Sequence, residues 1–197
     1  MTQSVVAAAR RLAERNELAS ASMAEIAREA GITRVTLYRR GETRAMIIAA
    51  LHAELVREER ARLLPIVTAL GDARTRLERA LEALCDLTDA RANLITGLDA
   101  ATLNAIYHGE GEETLTRPEF IGPIVRLLHD GAADGSLRVF ADPDAVATVL
   151  YTQVSYTYLH LRQEHHWPAK RATAAVKDLT VGGLLPTTTA ARTRARK

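Results

Sequence analysis

Residues 31–44, GITRVTLYRRGETR, set Arg34, Arg39, Arg40 and Arg44 against a single acid, Glu42, and keep Ile32, Val35, Leu37 and Tyr38 between them. A segment that only carried charge would have no use for those apolar residues. Just upstream, Ser22-Met23-Ala24-Glu25 reads as a capping box. The Ser22 hydroxyl can accept from the Glu25 backbone N–H, and the Glu25 carboxylate can accept from the Ser22 N–H. Ile26, Ala27 and Ala30 form the inner face of the helix this box starts, and Gly31 ends it. Thr33 then caps a short third helix from Arg34 to about Arg40, and Thr43 caps a fourth. Two short helices joined through a glycine turn form a helix-turn-helix pattern. Ala27 lets the helices cross closely, while Ile32 and Leu37 close their joint. The second helix of such a pair enters the major groove and meets base edges with its N-terminal residues.

The charge distribution supports that reading. The 197-residue chain has a net charge of +2, yet residues 32–44 hold four Arg against one Glu and residues 187–197 hold three Arg and one Lys without an acid. Residues 1–31 balance at zero, which leaves −5 for residues 45–186. Positive charge confined to one internal segment and one tail marks where a polyanion docks. Arg34 and Arg44 each fall in the first turn of a helix, where a cation opposes the helix dipole by about 0.3–1 kcal/mol. Stability alone does not favour that placement. A phosphate seated on the helix N-termini would account for it.

The remainder reads as helical throughout, rich in Ala, Leu, Arg and Glu and without alternating strand patterns. A first helix is expected over residues 4–16, and the fourth should run to about 64, where Pro65 should end or kink it. Further helices are expected over about 77–88, 90–106, 118–133, 142–164 and 168–181. Asp142 with Pro143 starts one of these, and Pro168 starts the last. Residues 107–113 read as a polar loop, and the tail from 186 as a basic disordered segment. The domains expected are 1–45 for DNA binding, 46–185 for a helical effector and dimerisation domain, and 186–197 for the tail. No apolar run reaches the roughly 18 residues a membrane helix needs, the N-terminus lacks a signal-peptide pattern, and a lone Cys85 forms no internal disulfide. A cytoplasmic protein is expected.

At Ser22 to Arg44, SMAEIAREAGITRVTLYRRGETR, the chain resembles the TetR/AcrR family of transcriptional regulators. The resemblance implies an all-α fold, homodimerisation, a double-stranded DNA operator, a small-molecule effector, no cofactor and no enzymatic activity. It implies phosphate contacts from Ser22 and Tyr38, a cap and backbone contact from Thr33, and base contacts from Arg34, Val35 and Thr36. It further implies phosphate neutralisation by Arg39, Arg40 and Arg44. Gly41 stands where the family usually has Phe. The segment 115–138 resembles the one many members carry before their last two helices.

Outside the motif, Tyr151, Tyr156 and Tyr158 concentrate in a chain with only 4% aromatics. Packing between subunits is one reading of them. The other is an effector cavity, for which Tyr107, Phe120, Tyr151, Tyr156 and His160 are the candidates. His160, Glu164, His165 and His166 do not converge as the three or four ligands of a zinc site would. Cys85 follows Leu81 by four residues and reads as a buried, inert thiol. A helical small-molecule-binding protein or enzyme, with a merely structural N-terminal segment, is the alternative reading.

Overall fold

The computed structural model describes residues 3–108 and 116–186. Among these lie ten α-helices and no strand: α1 (Gln3–Glu14), α2 (Met23–Glu29), α3 (Arg34–Arg39), α4 (Arg44–Val67), α5 (Ala73–Ala90), α6 (Ala92–Thr96), α7 (Ala100–Tyr107), α8 (Pro118–Asp134), α9 (Pro143–Gln163) and α10 (Ala169–Gly182). The all-α expectation holds. The expected tail, and most of the expected 107–113 loop, lie outside the described residues.

The capping box at Ser22 is complete, with both reciprocal bonds made. Both helices of the pair then end in the same way. The N–H groups of Gly31 and Ile32 donate to Arg28 and Ala27 at 3.0 and 2.9 Å, and those of Gly41 and Glu42 donate to Tyr38 and Leu37 at 2.9 and 3.3 Å. These are paired Schellman closures, and each puts its glycine at positive φ, +70° for Gly31 and +64° for Gly41. The departure from the family's Phe at position 41 therefore has a backbone reason: it ends α3. Open space surrounds Gly41, since an added Cβ would meet nothing within 4 Å.

Helix α1 buries Val5, Val6, Ala8, Ala9, Leu12 and Ala13 and packs against α2, α4 and α6. Helix α4 spans about 36 Å at about 1.5 Å per residue and contacts α1, α5, α7 and α8. It continues three residues beyond its expected end, to Val67. Pro65 falls in the last turn, and both Pro65 and Ala61, whose carbonyl it leaves unbonded, are exposed to water. The Arg76 guanidinium then closes this helix end, donating to the Val67 carbonyl at 2.7 Å. Helices α5, α8, α9 and α10 pack against one another to complete the larger body.

The single helix expected over 90–106 is two. Helix α6 ends at Gly97, and Asp99 starts α7 by accepting from the Thr102 N–H at 2.8 Å. Contact with α1 dictates the break: a Cβ on Gly97 would lie 1.6 Å from the Ala13 carbonyl oxygen. Two glycine-to-alanine variants should separate the two roles. Gly41→Ala meets only backbone strain and should cost about 1–2 kcal/mol. Gly97→Ala must push α1 and α6 apart and should cost more. Urea denaturation of both variants checks the order.

Candidate nucleic-acid interface and internal cavity

Helix α3 divides into an inner and an outer side. Leu37 is fully buried, while Val35 is 74% and Tyr38 60% exposed, and Arg34, Arg39 and Arg40 are exposed beside them. The Arg34 guanidinium lies 5.1 Å from the Tyr38 ring centroid and donates to the Tyr38 hydroxyl at 3.3 Å. The phenol keeps its own proton to donate. Thr33 accepts from the Thr36 N–H at 3.1 Å, and the two threonine hydroxyls share one hydrogen bond at 2.9 Å. One hydroxyl proton of that pair stays available to an acceptor.

Two expected phosphate contacts look different in three dimensions. The Ser22 hydroxyl donates to the Glu25 carboxylate at 2.8 Å while accepting from the Glu25 N–H. A phosphate only accepts, so it would have to displace Glu25. The hydrogen bonds from the Ser22 N–H and hydroxyl hold the Glu25 carboxyl below the usual carboxylate range. Arg44 is half-buried and donates to the carbonyls of Leu18, Ala21 and Ala19 at 2.7, 3.0 and 3.3 Å. Its position at the start of α4 thus has a structural cause, since it clamps the α1–α2 loop. Of the two arginines placed against a helix dipole, only Arg34 is left turned outward.

A cavity lies between α4, α5, α6, α7 and α9. Glu59, Leu84, Leu87, Thr88, Arg91, Ile95, Leu103, Tyr107, Tyr151, Ser155, Tyr156 and Leu159 are among its walls. Three of the five aromatic candidates, Tyr107, Tyr151 and Tyr156, are therefore brought together. Phe120 does not line the space. It is fully buried against Tyr107 and Tyr151, with ring centroids 4.9 and 5.8 Å away. His160 is exposed and lies outside the cavity, its ring edge-on to His165 at 5.0 Å. Among the described residues no group of three His, Cys, Asp or Glu could hold a metal ion. Burial pushes the Cys85 thiol up to about 12, which makes it a poor nucleophile.

The cavity's polar centre was not foreseen. Glu59 is 1% exposed and Arg91 4%. Glu59 Oε2 accepts from the Tyr151 hydroxyl at 2.9 Å and from Arg91 at 3.3 Å, while Oε1 is buried with no hydrogen-bond partner. Arg91 also donates to the Leu55 carbonyl at 2.9 Å and to Glu58 at 3.3 Å. Glu58 in turn pairs with Arg10 of α1, which also reaches Glu54 at 2.7 Å and Glu14 at 3.2 Å. A continuous ladder of charge thus runs from the cavity wall to α1. A sequence signal existed: Glu59 falls in the buried stripe Ile47, Leu51, Leu55, Glu59, Leu63 of α4, where every other member is aliphatic.

Burial pushes the Glu59 carboxyl up to about 7, against the opposing pull of Arg91 and Tyr151. The folded chain then holds this proton more tightly than the unfolded one, whose carboxyl titrates near 4.5. Stability from this group is therefore greatest below about pH 4.5 and falls as pH rises towards 7. Relative to Glu59→Gln, the native chain should lose on the order of 2–3 kcal/mol between pH 4.5 and pH 8. Paired urea titrations at the two pH values give that difference.

Residues 5–50 match the family model of the bacterial regulatory proteins of the tetR family, in agreement with the resemblance at Ser22 to Arg44. No curated protein matches the chain. Among solved structures, the fold is similar to the transcriptional regulator FadR from Bacillus subtilis in complex with stearoyl-CoA. The TM-score is 0.72 at 16% identity, covering 92% of this chain and 98% of that one. It is also similar to SmeT, the repressor of the Stenotrophomonas maltophilia multidrug efflux pump SmeDEF, with a TM-score of 0.68 at 16% identity over 94% of this chain and 91% of that one. A TetR/AcrR-family transcriptional regulator from Thermobifida fusca aligns with a TM-score of 0.63 at 18% identity, over 91% and 95% of the two chains.

Proposed function

We propose that this TetR/AcrR-family chain is an effector-responsive repressor that binds a palindromic DNA operator as a homodimer and leaves it when a small molecule fills the internal cavity. The observation that carries the reading is α3: its Leu37 side is buried, and its Arg34, Val35 and Tyr38 side is offered to solvent on a segment that matches the family model. Arg34 would pair with guanine O6 and N7, and Val35 and the Thr36 methyl would meet thymine methyls. Tyr38, Thr33, Arg39 and Arg40 would hold the flanking phosphates. Ser22 and Arg44 would contribute by fixing α2 and the α1–α2 loop. Residues 1–45 form the DNA-binding unit of this scheme and residues 46–185 the effector and dimerisation unit.

Helices α9 and α10 support the dimer. Val149 and Tyr156 on α9 are about 60% exposed and Leu179 on α10 is 78% exposed, so two adjacent helices carry large apolar side chains to the surface. A second copy against them would set the two α3 helices about 34–36 Å apart, one turn of duplex. The substitutions Val149→Glu and Leu179→Glu together should shift the species in sedimentation to a single 21.5 kDa chain. SmeT is a repressor by its description and the Bacillus subtilis FadR structure holds stearoyl-CoA, which favours a cavity-filling effector here too. No helix among the described residues is long and apolar enough to cross a membrane, in keeping with a regulator that works on DNA in the cytoplasm.

Gel shifts with the DNA flanking the gene test the reading. Arg34→Ala should cost about 1–3 kcal/mol and relax specificity, while Arg39→Ala should weaken all sequences alike and reduce the salt slope by about one. Equal, sequence-independent losses from both would remove base readout by Arg34. No binding of any duplex at low salt would return the chain to the alternative, an enzyme or binding protein on a helical scaffold.

A further inference from the structure

Within the effector reading above, the cavity itself indicates what kind of molecule fills it. Two acceptors on its wall are left without a donor from the protein. Glu59 is 1% exposed, it lines the space, and its Oε1 is buried without a hydrogen-bond partner. The Thr88 hydroxyl has already given its proton to the Leu84 carbonyl at 2.8 Å, so it too can only accept from a ligand. A buried cation on the wall, Arg91, is occupied by Glu58, Glu59 and the Leu55 carbonyl of α4 and also reaches the Tyr107 hydroxyl. Along the ladder two arginines, Arg10 and Arg91, face four carboxylates, Glu14, Glu54, Glu58 and Glu59. The connected network is therefore short of positive charge.

We infer that the cavity binds a small lipophilic cation, an amine whose ammonium donates to Glu59 Oε1 and whose apolar body lies among Leu84, Leu87, Ile95 and Leu103. Each part of such a ligand answers a feature of the wall. The ammonium supplies the missing donor and the missing charge. Tyr107, Tyr151 and Tyr156 line the space, and an aromatic ring can hold a cation against its face. The aliphatic residues take the body by apolar burial. A carboxylate ligand meets the opposite: it would lie beside Glu59 and would have to draw Arg91 away from three acceptors that already hold it. The cavity volume is about 60 Å³, well under the roughly 150 Å³ of a cavity that takes up benzene. A single-ring amine is thus the upper scale, and it enters only as the walls give way.

The test is a calorimetric series on the full chain at pH 8, above the value of about 7 to which burial raises Glu59, with benzylamine, benzyl alcohol and benzoate, which share a ring and differ in head group. Benzylamine should bind at least tenfold more tightly than benzyl alcohol, with benzoate weakest. Glu59→Gln should remove most of the benzylamine preference while leaving the alcohol little changed. Benzoate binding tightest, all three equal, or none binding would overturn the inference, and the native chain alone decides this if Glu59→Gln fails to fold. Gel shifts run in parallel separate the two levels. Benzylamine that binds with the predicted preference but leaves DNA affinity unchanged supports the ligand class and sinks the effector reading. Operator release by benzoate and not by benzylamine does the reverse.

Discussion

A carboxylate and a guanidinium almost wholly removed from water, Glu59 and Arg91, set the geometry of the larger body. Ions taken into a protein interior cost several kcal/mol each in desolvation, and their mutual attraction offsets this only when the remaining donors and acceptors are also met. Arg91 meets that demand with acceptors drawn from a single helix: the Leu55 carbonyl, Glu58 and Glu59 all belong to α4. Arg91 itself stands at the joint where α5 ends and α6 begins. Its reach toward α4 therefore fixes where the chain turns between those helices. Once that turn is fixed, α6 runs to Gly97, whose missing side chain lets it touch α1. One arginine thus ties the middle of α4, the α5–α6 joint and, through them, the approach to the N-terminal helix.

Apolar side chains of similar volume would often hold such a site as well or better, so stability alone is a weak reason to keep the charges. The arrangement offers something an aliphatic seam would not: a partner exchange. Glu58 is shared between Arg91 on the cavity side and Arg10 on α1. A ligand that changes what Arg91 or Glu59 must satisfy changes how strongly Glu58 is held, and with it the seat of α1 against α4. Contiguity by itself is no measure of coupling. What the ladder supplies is a place where two arrangements differ in hydrogen bonding, which is the requirement for a ligand to favour one of them.

The helix-turn-helix was legible in the sequence because its signals are local. A capping box, two glycines and two threonine caps act over three or four residues, and each appears in space where its spacing put it. Arg44 was misleading for the opposite reason: its three carbonyl partners lie more than twenty residues upstream, and nothing in the local spacing points to them. Gly97 was passed over because the need for it comes from Ala13, across the core. Pro65 was overread, since the Ala61 carbonyl it leaves unbonded belongs to a residue exposed to water. Glu59 was visible and missed. An acid at the fourth position of a five-residue aliphatic stripe marks a buried charge, and a buried charge requires a partner.

The same sorting of local from distant contacts explains how a helix as short as α3 can present a reading surface. Six residues are far too few to be helical alone, because nucleation is costly and each added bond returns little. Helix α3 exists because Thr33 caps one end, Gly41 closes the other and Leu37 is buried at its centre. That leaves Ser22 and Arg44 engaged in the frame, while Arg34, Val35 and Tyr38 face solvent. Arg34 is itself partly ordered by the Tyr38 ring and hydroxyl, so less rotamer freedom is left to lose on docking. The contact to Tyr38 is long and exposed, and in the proposed reading a guanine edge would offer Arg34 two acceptors in its place. On that reading a duplex would draw the side chain off the ring without disturbing the helix beneath it.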